Sequence, residues 1–84
     1  MHRTTPQFWS HFDELRPEVQ RRAEKKFEIL KADSSHPSLH FKKVGGYWSV
    51  RIDLDHRALS FKDGDDYIWF WIGPHDEYEV VIGR

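Results

Sequence analysis

Two periodicities divide the chain. From Phe8 to Leu30 the apolar residues recur at helical spacing, whereas from Leu39 onward they alternate with polar ones. Thr5–Pro6 is a helix start, a hydroxyl cap followed by proline at the first helical position. Phe8, Trp9, Phe12 and Leu15 then fall at helical spacing. Pro17 has no amide hydrogen to give a continuing helix, so a corner is expected at Leu15–Arg16. A second helix is expected from Pro17 to Lys31. Val19, Ala23, Phe27 and Leu30 form its apolar stripe, and Arg21, Arg22, Lys25 and Glu28 its polar face. Two short helices joined at a proline make a helical hairpin.

The second half predicts strands. Leu39–Val44 is the first, closed by a Gly45–Gly46 turn. Tyr47–Leu54 alternates, with Trp48, Val50 and Ile52 on one face and Tyr47, Ser49, Arg51 and Asp53 on the other. His56–Lys62 follows a short turn, and the acidic segment Lys62–Asp66 turns the chain again. Tyr67–Ile72 is apolar on both faces, as a covered central strand would be. Regular alternation would put Tyr67, Trp69 and Trp71 on one face, as core rather than as an exposed stacking platform. Gly73–Pro74 ends the strand. His75–Ile82 reads equally as a short helix or an extended segment, and residues 2–4 could add a short edge strand. The whole predicts an α+β domain, a helical pair followed by a curved antiparallel meander.

Composition narrows this further. Eighty-four residues make one domain, 1–84. A chain this short buries only about 60–65% of its unfolded surface. It has no cysteine, so stability must come from packing, chiefly of its four Trp, six Phe and three Tyr. The absence of a long apolar run points to a soluble, cytoplasmic protein with no membrane span. A formal net charge of −1 is not the bulk signature of a nucleic-acid binder. Its distribution matters more. Arg16, Arg21, Arg22, Lys25 and Lys26 form one basic block and Lys42, Lys43, Arg51 and Arg57 another, while acid gathers in Asp63–Asp66 and Asp76–Glu79.

Candidate chemistry concentrates late in the chain. Arg51 and Arg57 lie on neighbouring strands. Each guanidinium offers a fork of donors, so the two would bracket one phosphate or, more blandly, pair with Asp53, Asp55 or Asp76. His75 and Tyr78 follow the last strand. They would supply an imidazole that exchanges protons near neutrality and a phenol, or simply pack the tail on the sheet. Lys42 and Lys43 point to opposite faces of their strand, so only one reaches a given cleft; His40 shares the side of Lys42. No HExxH, cysteine pair, P-loop or Gly-x-Gly-x-x-Gly pattern occurs, so neither a metal nor another cofactor is expected.

The runs LHFKKVGGYWSVRIDLDHRAL and YIWFWIGPHDEY resemble the RelE/ParE toxin superfamily of bacterial type II toxin–antitoxin systems. Its members have a helical hairpin, a leucine with a basic residue, an Arg-bearing strand, an aromatic-Arg strand, and a hydrophobic strand ending in Ile-Gly-x-His or Ile-Gly-x-Arg before a late Tyr. Here His56–Arg57 stands at the aromatic-Arg position, and Ile72-Gly73-Pro74-His75 matches the late motif. The resemblance implies a helical hairpin packed on one face of a small, mainly antiparallel, twisted sheet, and a cognate antitoxin as partner. In the ribonuclease branch it implies metal-independent cleavage of mRNA on the ribosome. A base takes the 2′-hydroxyl proton, cations stabilise the phosphorane, and an acid protonates the leaving 5′-oxygen. Arg57 would then hold the phosphate with Arg51 assisting. His75 would act as acid or base, Tyr78 as positioner or proton donor, and Lys42 and Lys43 would bind RNA. Another branch poisons DNA gyrase by binding alone, and an inactive relative that only binds antitoxin would share the same fold.

Overall fold

The computed structural model describes residues 1–83. Strand β1 (His2–Thr4) leads into α1 (Pro6–Asp13) and α2 (Pro17–Ala32). Strands β2 (Lys42–Val44), β3 (Tyr47–Asp53), β4 (His56–Asp63) and β5 (Asp66–Pro74) follow, and α3 (His75–Val81) closes the chain. The five strands form one sheet in the order β1-β5-β4-β3-β2. β1 pairs parallel with β5, through His2↔Tyr67 and Thr4↔Trp69, and the other pairings are antiparallel.

Thr5 splices sheet to helix. Its Oγ1 accepts the Phe8 amide at 3.2 Å, capping α1, and donates to the Trp69 carbonyl at 3.2 Å. Pro6 and Pro17 each sit in the first turn of their helix, where no amide hydrogen is missed. The corner between the helices is held at Phe12, whose carbonyl accepts the Leu15 amide at 3.0 Å and the Gln20 side-chain amide at 3.0 Å. The hairpin lies on one face of the sheet over a core of Phe8, Val19, Ala23, Leu30, Leu39, Val50, Ile52, Ala58, Trp69 and Ile72. The opposite face carries a smaller cluster of Val44, Leu59, Trp71 and Tyr78, covered by α3.

Two local readings change and one left open resolves. The first strand starts at Lys42 rather than Leu39. Pro37–Leu39 instead form a 3-10 turn, with the His36 imidazole accepting the Ser38 amide at 3.2 Å, and His40 then turns left-handed at φ 46°. Trp69 and Trp71 do not share a face. Leu59 pairs with Trp71 and Ser60 with Trp69, so Phe70 is an extra residue, and this bulge sends Trp69 under the hairpin and Trp71 to the other side. The ambiguous tail is helical. The Gly45–Gly46 turn forms as expected, with Gly45 at φ +58°, a conformation that costs glycine little.

Candidate active site

On the α3 face of the sheet, strand alternation brings basic groups together. Ser49 and Arg51 face away from Val50 and Ile52, and Arg57 faces away from Ala58, while the β3–β4 register shifts between Arg51 and Asp53 and the Asp53 side chain reaches Arg22 of α2. Arg51 and Arg57 sit directly opposite one another in the β3–β4 ladder, and Arg57 is opposite Gly73 in β5. α3 then crosses this face. His40, Lys42, Ser49, Arg51, Arg57, His75, Tyr78 and Glu79 line one cleft of about 130 Å³.

The β3–β4 turn fixes both sides of the cleft. Arg57 Nη1 donates to the carbonyl oxygens of Asp53 at 2.6 Å, His56 at 2.9 Å and, more weakly, Leu54 at 3.4 Å. The His75 amide donates to the Asp55 carbonyl at 2.7 Å, which anchors the start of α3 to the same turn. The Asp53 carboxylate braces the turn from inside. Its Oδ1 accepts the Asp55 amide and His56 Nδ1–H, both at 2.9 Å, and its Oδ2 accepts Arg22 Nη1 at 3.1 Å. Burial works against that carboxylate's charge, but the bonds from His56 and Asp55 outweigh it and hold its pKa below the ordinary value.

The remaining groups form a small network. Arg51 Nη1 lies 3.3 Å from His40 Nε2; a guanidinium only donates, so this nitrogen accepts and the ring proton sits on Nδ1. Arg51 Nε is buried with no hydrogen-bond partner among the described residues. His75 Nε2 is 3.6 Å from Glu79 Oε1, and the His75 and Tyr78 rings lie 5.4 Å apart at a tilt. Tyr78 is buried against Leu59 and Trp71, which fixes the phenol at the cleft wall. Burial, and then the charge of Arg51, lowers the pKa of Arg57, but a guanidinium stays protonated at neutral pH. The Arg51 charge first, then burial, then Lys42, Arg57 and Lys26, push the His40 pKa down.

Of the residues singled out in the sequence, Arg51, Arg57, His75, Tyr78 and Lys42 line the cleft. Lys43 does not; it pairs with Trp48 and is exposed on the hairpin side of β2. His40, Ser49 and Glu79 were not among the residues assigned a role. Alternation already put Ser49 beside Arg51, and Glu79 is the i+4 neighbour of His75 once α3 is known to be a helix. No group of three or more metal-ligating side chains occurs among the described residues. No helix among them is long and apolar enough to cross a membrane.

The fold is that of several solved toxins. The RelB–RelE antitoxin–toxin complex from Methanococcus jannaschii superposes with a TM-score of 0.74 at 14% identity, over 94% of this chain and 96% of that one. YafQ from E. coli strain BL21(DE3) gives 0.69 at 10% identity, over 93% and 96%. The RelBE2 toxin–antitoxin complex from Mycobacterium tuberculosis gives 0.66 at 15%, over 89% and 96%. No curated protein matches by sequence. A protein-family comparison matches residues 17–80, from the start of α2 through the cleft to α3, to the ParE-like toxin domain. The chain therefore belongs to the ParE-like toxin domain family, within the RelE/ParE superfamily of toxin–antitoxin toxins.

Proposed function

We propose that this chain is the toxin of a toxin–antitoxin pair, acts in the cytoplasm, and cuts ribosome-bound mRNA without a metal ion. The observation that carries the reading is the convergence of Arg51, Arg57, His75 and Tyr78 on one cleft. Cleavage of RNA through its own 2′-hydroxyl needs a proton acceptor, a proton donor and cations for the charge that builds on phosphorus. Two guanidiniums supply the cationic part, and Arg57 is prepositioned by backbone carbonyls, so little reorganisation is needed as charge develops. His75 exchanges a proton with the reacting oxygens, Tyr78 orients the phosphate or donates to it, and Lys42 at the cleft rim holds the neighbouring phosphate. Lys43, on the far face, has no part in the cleft chemistry. The antitoxin partner draws support from the fold neighbours that are antitoxin–toxin complexes.

The test is a translation extract supplied with the purified protein. Cleavage of mRNA is expected in the presence of chelator. Arg57→Lys should slow it by about 10²-fold or more, the size of losing a prepositioned donor to charge developing in a transition state. Intact mRNA, under conditions where a verified ribonuclease relative cuts, overturns the enzymatic reading. The matched family is the ParE-like toxin domain, and the superfamily resemblance supports a second reading, a toxin that binds DNA gyrase and cleaves nothing. Growth arrest with stable mRNA and inhibited supercoiling would select it.

A further inference from the structure

We infer that His40 is the general base of this cleft, accepting the 2′-hydroxyl proton on Nε2, and that His75 is therefore the acid. The inference rests on the ribonuclease reading and divides the proton work that the reading gives chiefly to His75.

Three observations carry it. The first is backbone conformation: His40 is the one non-glycine residue at positive φ among the described residues. Histidine, with Asn and Asp, is among the few non-glycine residues that adopt this conformation readily, and it holds where the flanking turn is fixed. The turn is fixed here. Leu39 is fully buried beneath the hairpin, and Lys26 Nζ donates to the Ser38 carbonyl at 3.0 Å, so the 3-10 turn presents the imidazole at the cleft from a fixed support.

The second is the hydrogen bond. Nε2 carries a lone pair, engaged among the described residues only by the long 3.3 Å contact from Arg51 Nη1. An anionic phosphate oxygen is a better acceptor for a guanidinium than a neutral imidazole. A phosphodiester entering the cleft takes Arg51 and releases the lone pair beside the nucleotide. The third is charge. Arg51 from β3, Arg57 from β4, Lys42 from β2 and Lys26 from α2 surround the ring, with His75 and Glu79 of α3 lining the same cleft. The four cations push the His40 pKa below its ordinary value, toward the unprotonated state a base requires. His75 has Glu79 Oε1 3.6 Å away to pair with the proton an acid must hold.

The step balances. His40 Nε2 takes the 2′-hydroxyl proton as the O2′–P bond forms. The P–O5′ bond breaks with its electron pair on O5′, and His75 protonates that oxygen. The products are a 2′,3′-cyclic phosphate and a 5′-hydroxyl. His40 then releases its proton to water and His75 regains one.

The test uses programmed ribosomes carrying a short mRNA whose scissile linkage has either oxygen or sulfur at the 5′-bridging position. A thiolate leaves without protonation, so sulfur makes the acid dispensable and leaves the base essential. His40→Asn is chosen because Asn tolerates a left-handed backbone, and His40→Gly is the second variant should the first fail to unfold cooperatively. On ordinary mRNA, His40→Asn and His75→Gln are each expected to slow cleavage by about 10²–10⁴-fold. On the sulfur substrate His75→Gln should recover to near the wild-type rate and His40→Asn should not. The acid limb of the pH–rate profile should vanish in His40→Asn. Rescue of His40→Asn by sulfur, or its cutting of ordinary mRNA at the wild-type rate, overturns the base assignment while the ribonuclease reading stands. A wild-type protein that leaves both substrates whole overturns the ribonuclease reading and this assignment with it.

Discussion

Asp53→Ala tests whether one carboxylate organises both walls of the cleft. Its side chain accepts three hydrogen bonds, from the Asp55 amide, His56 Nδ1 and Arg22 Nη1. The Arg22 pair contributes little, about 0.2–1 kcal/mol, because 55% of the Arg22 side chain is exposed. Of the other two, the bond from His56 is partly buried and the bond from the Asp55 amide is exposed, and each is worth about 1 kcal/mol to a charged acceptor after solvent competition. Removing the carboxylate should therefore cost about 2–3 kcal/mol. For a domain this small that lowers Tm by about 8 °C or more. Asp53→Asn keeps an oxygen for the Asp55 amide and His56, loses the charge and the acceptor for Arg22, and should fall between. The pH dependence has a fixed sign. The folded-state pKa of Asp53 is depressed, so its stabilisation is fully present above the ordinary carboxylate value of about 3.9 and is lost as pH falls through the lower folded value. Urea unfolding at pH 7 and again near pH 3 reads this directly. The gap between wild type and Asp53→Ala should shrink at the lower pH, and a gap that is absent at pH 7 or unchanged near pH 3 refutes the reasoning.

The same variant should reach activity. The Asp53, Leu54 and His56 carbonyls hold Arg57, and the Asp55 carbonyl holds the His75 amide, so relaxing the turn moves a cation and an imidazole together. A displacement of about 1 Å at such groups costs on the order of 10²-fold in rate. Measured below its own Tm, Asp53→Ala should cut mRNA about 10²-fold more slowly than wild type, and amide exchange at His75 should accelerate while exchange in the β1–β5 ladder does not.

Two further substitutions probe the frame. A Cβ on Gly73 would lie 2.7 Å from Trp71 Cζ2 and 3.2 Å from Cη2, and that ring is packed with Leu59 and Tyr78. Gly73→Ala should cost about 1–3 kcal/mol by overpacking and shift Trp fluorescence as the ring moves; an unchanged Tm would count against the contact. Thr5→Ala removes both the α1 cap and the bond to the Trp69 carbonyl and should cost about 0.5–2 kcal/mol, with Thr5→Ser restoring most of it in thermal unfolding.

What the sequence revealed, and what it hid, follows the range of the forces involved. Thr5–Pro6, Pro17 and Gly45 act on their own stretch of chain, Thr5 by a side-chain cap and the others through the backbone, and each marks the boundary it suggested. The alternation in β3 put Arg51 and Ser49 on one face because strand period is a local property. The bulge at Phe70 is different: it exists only as a mismatch between β4 and β5, and neither strand alone encodes it. α3 is seven residues long with no side-chain cap. It is held by the Asp55 carbonyl and by burial of Tyr78, both contacts with distant segments, so its helical state and the Glu79–His75 pairing were not legible. His40 was hidden for a related reason, since an imidazole cap at His36 is a weak signal for a turn.

The arrangement that did emerge is one that folding alone would avoid. Like charges directly opposite in an antiparallel ladder are destabilising, yet Arg51 and Arg57 occupy such a pair. Lys42 and His40 crowd the same cleft, and among the described residues Glu79 is the only carboxylate lining it. Backbone carbonyls quiet Arg57, and a distant imidazole partly quiets Arg51, but Arg51 Nε stays buried without a partner among the described residues. A sheet selected for stability would place an acid opposite one of these arginines. Leaving the charge unbalanced favours a bound anion over the empty cleft, and under the proposed ribonuclease reading that anion is the scissile phosphodiester.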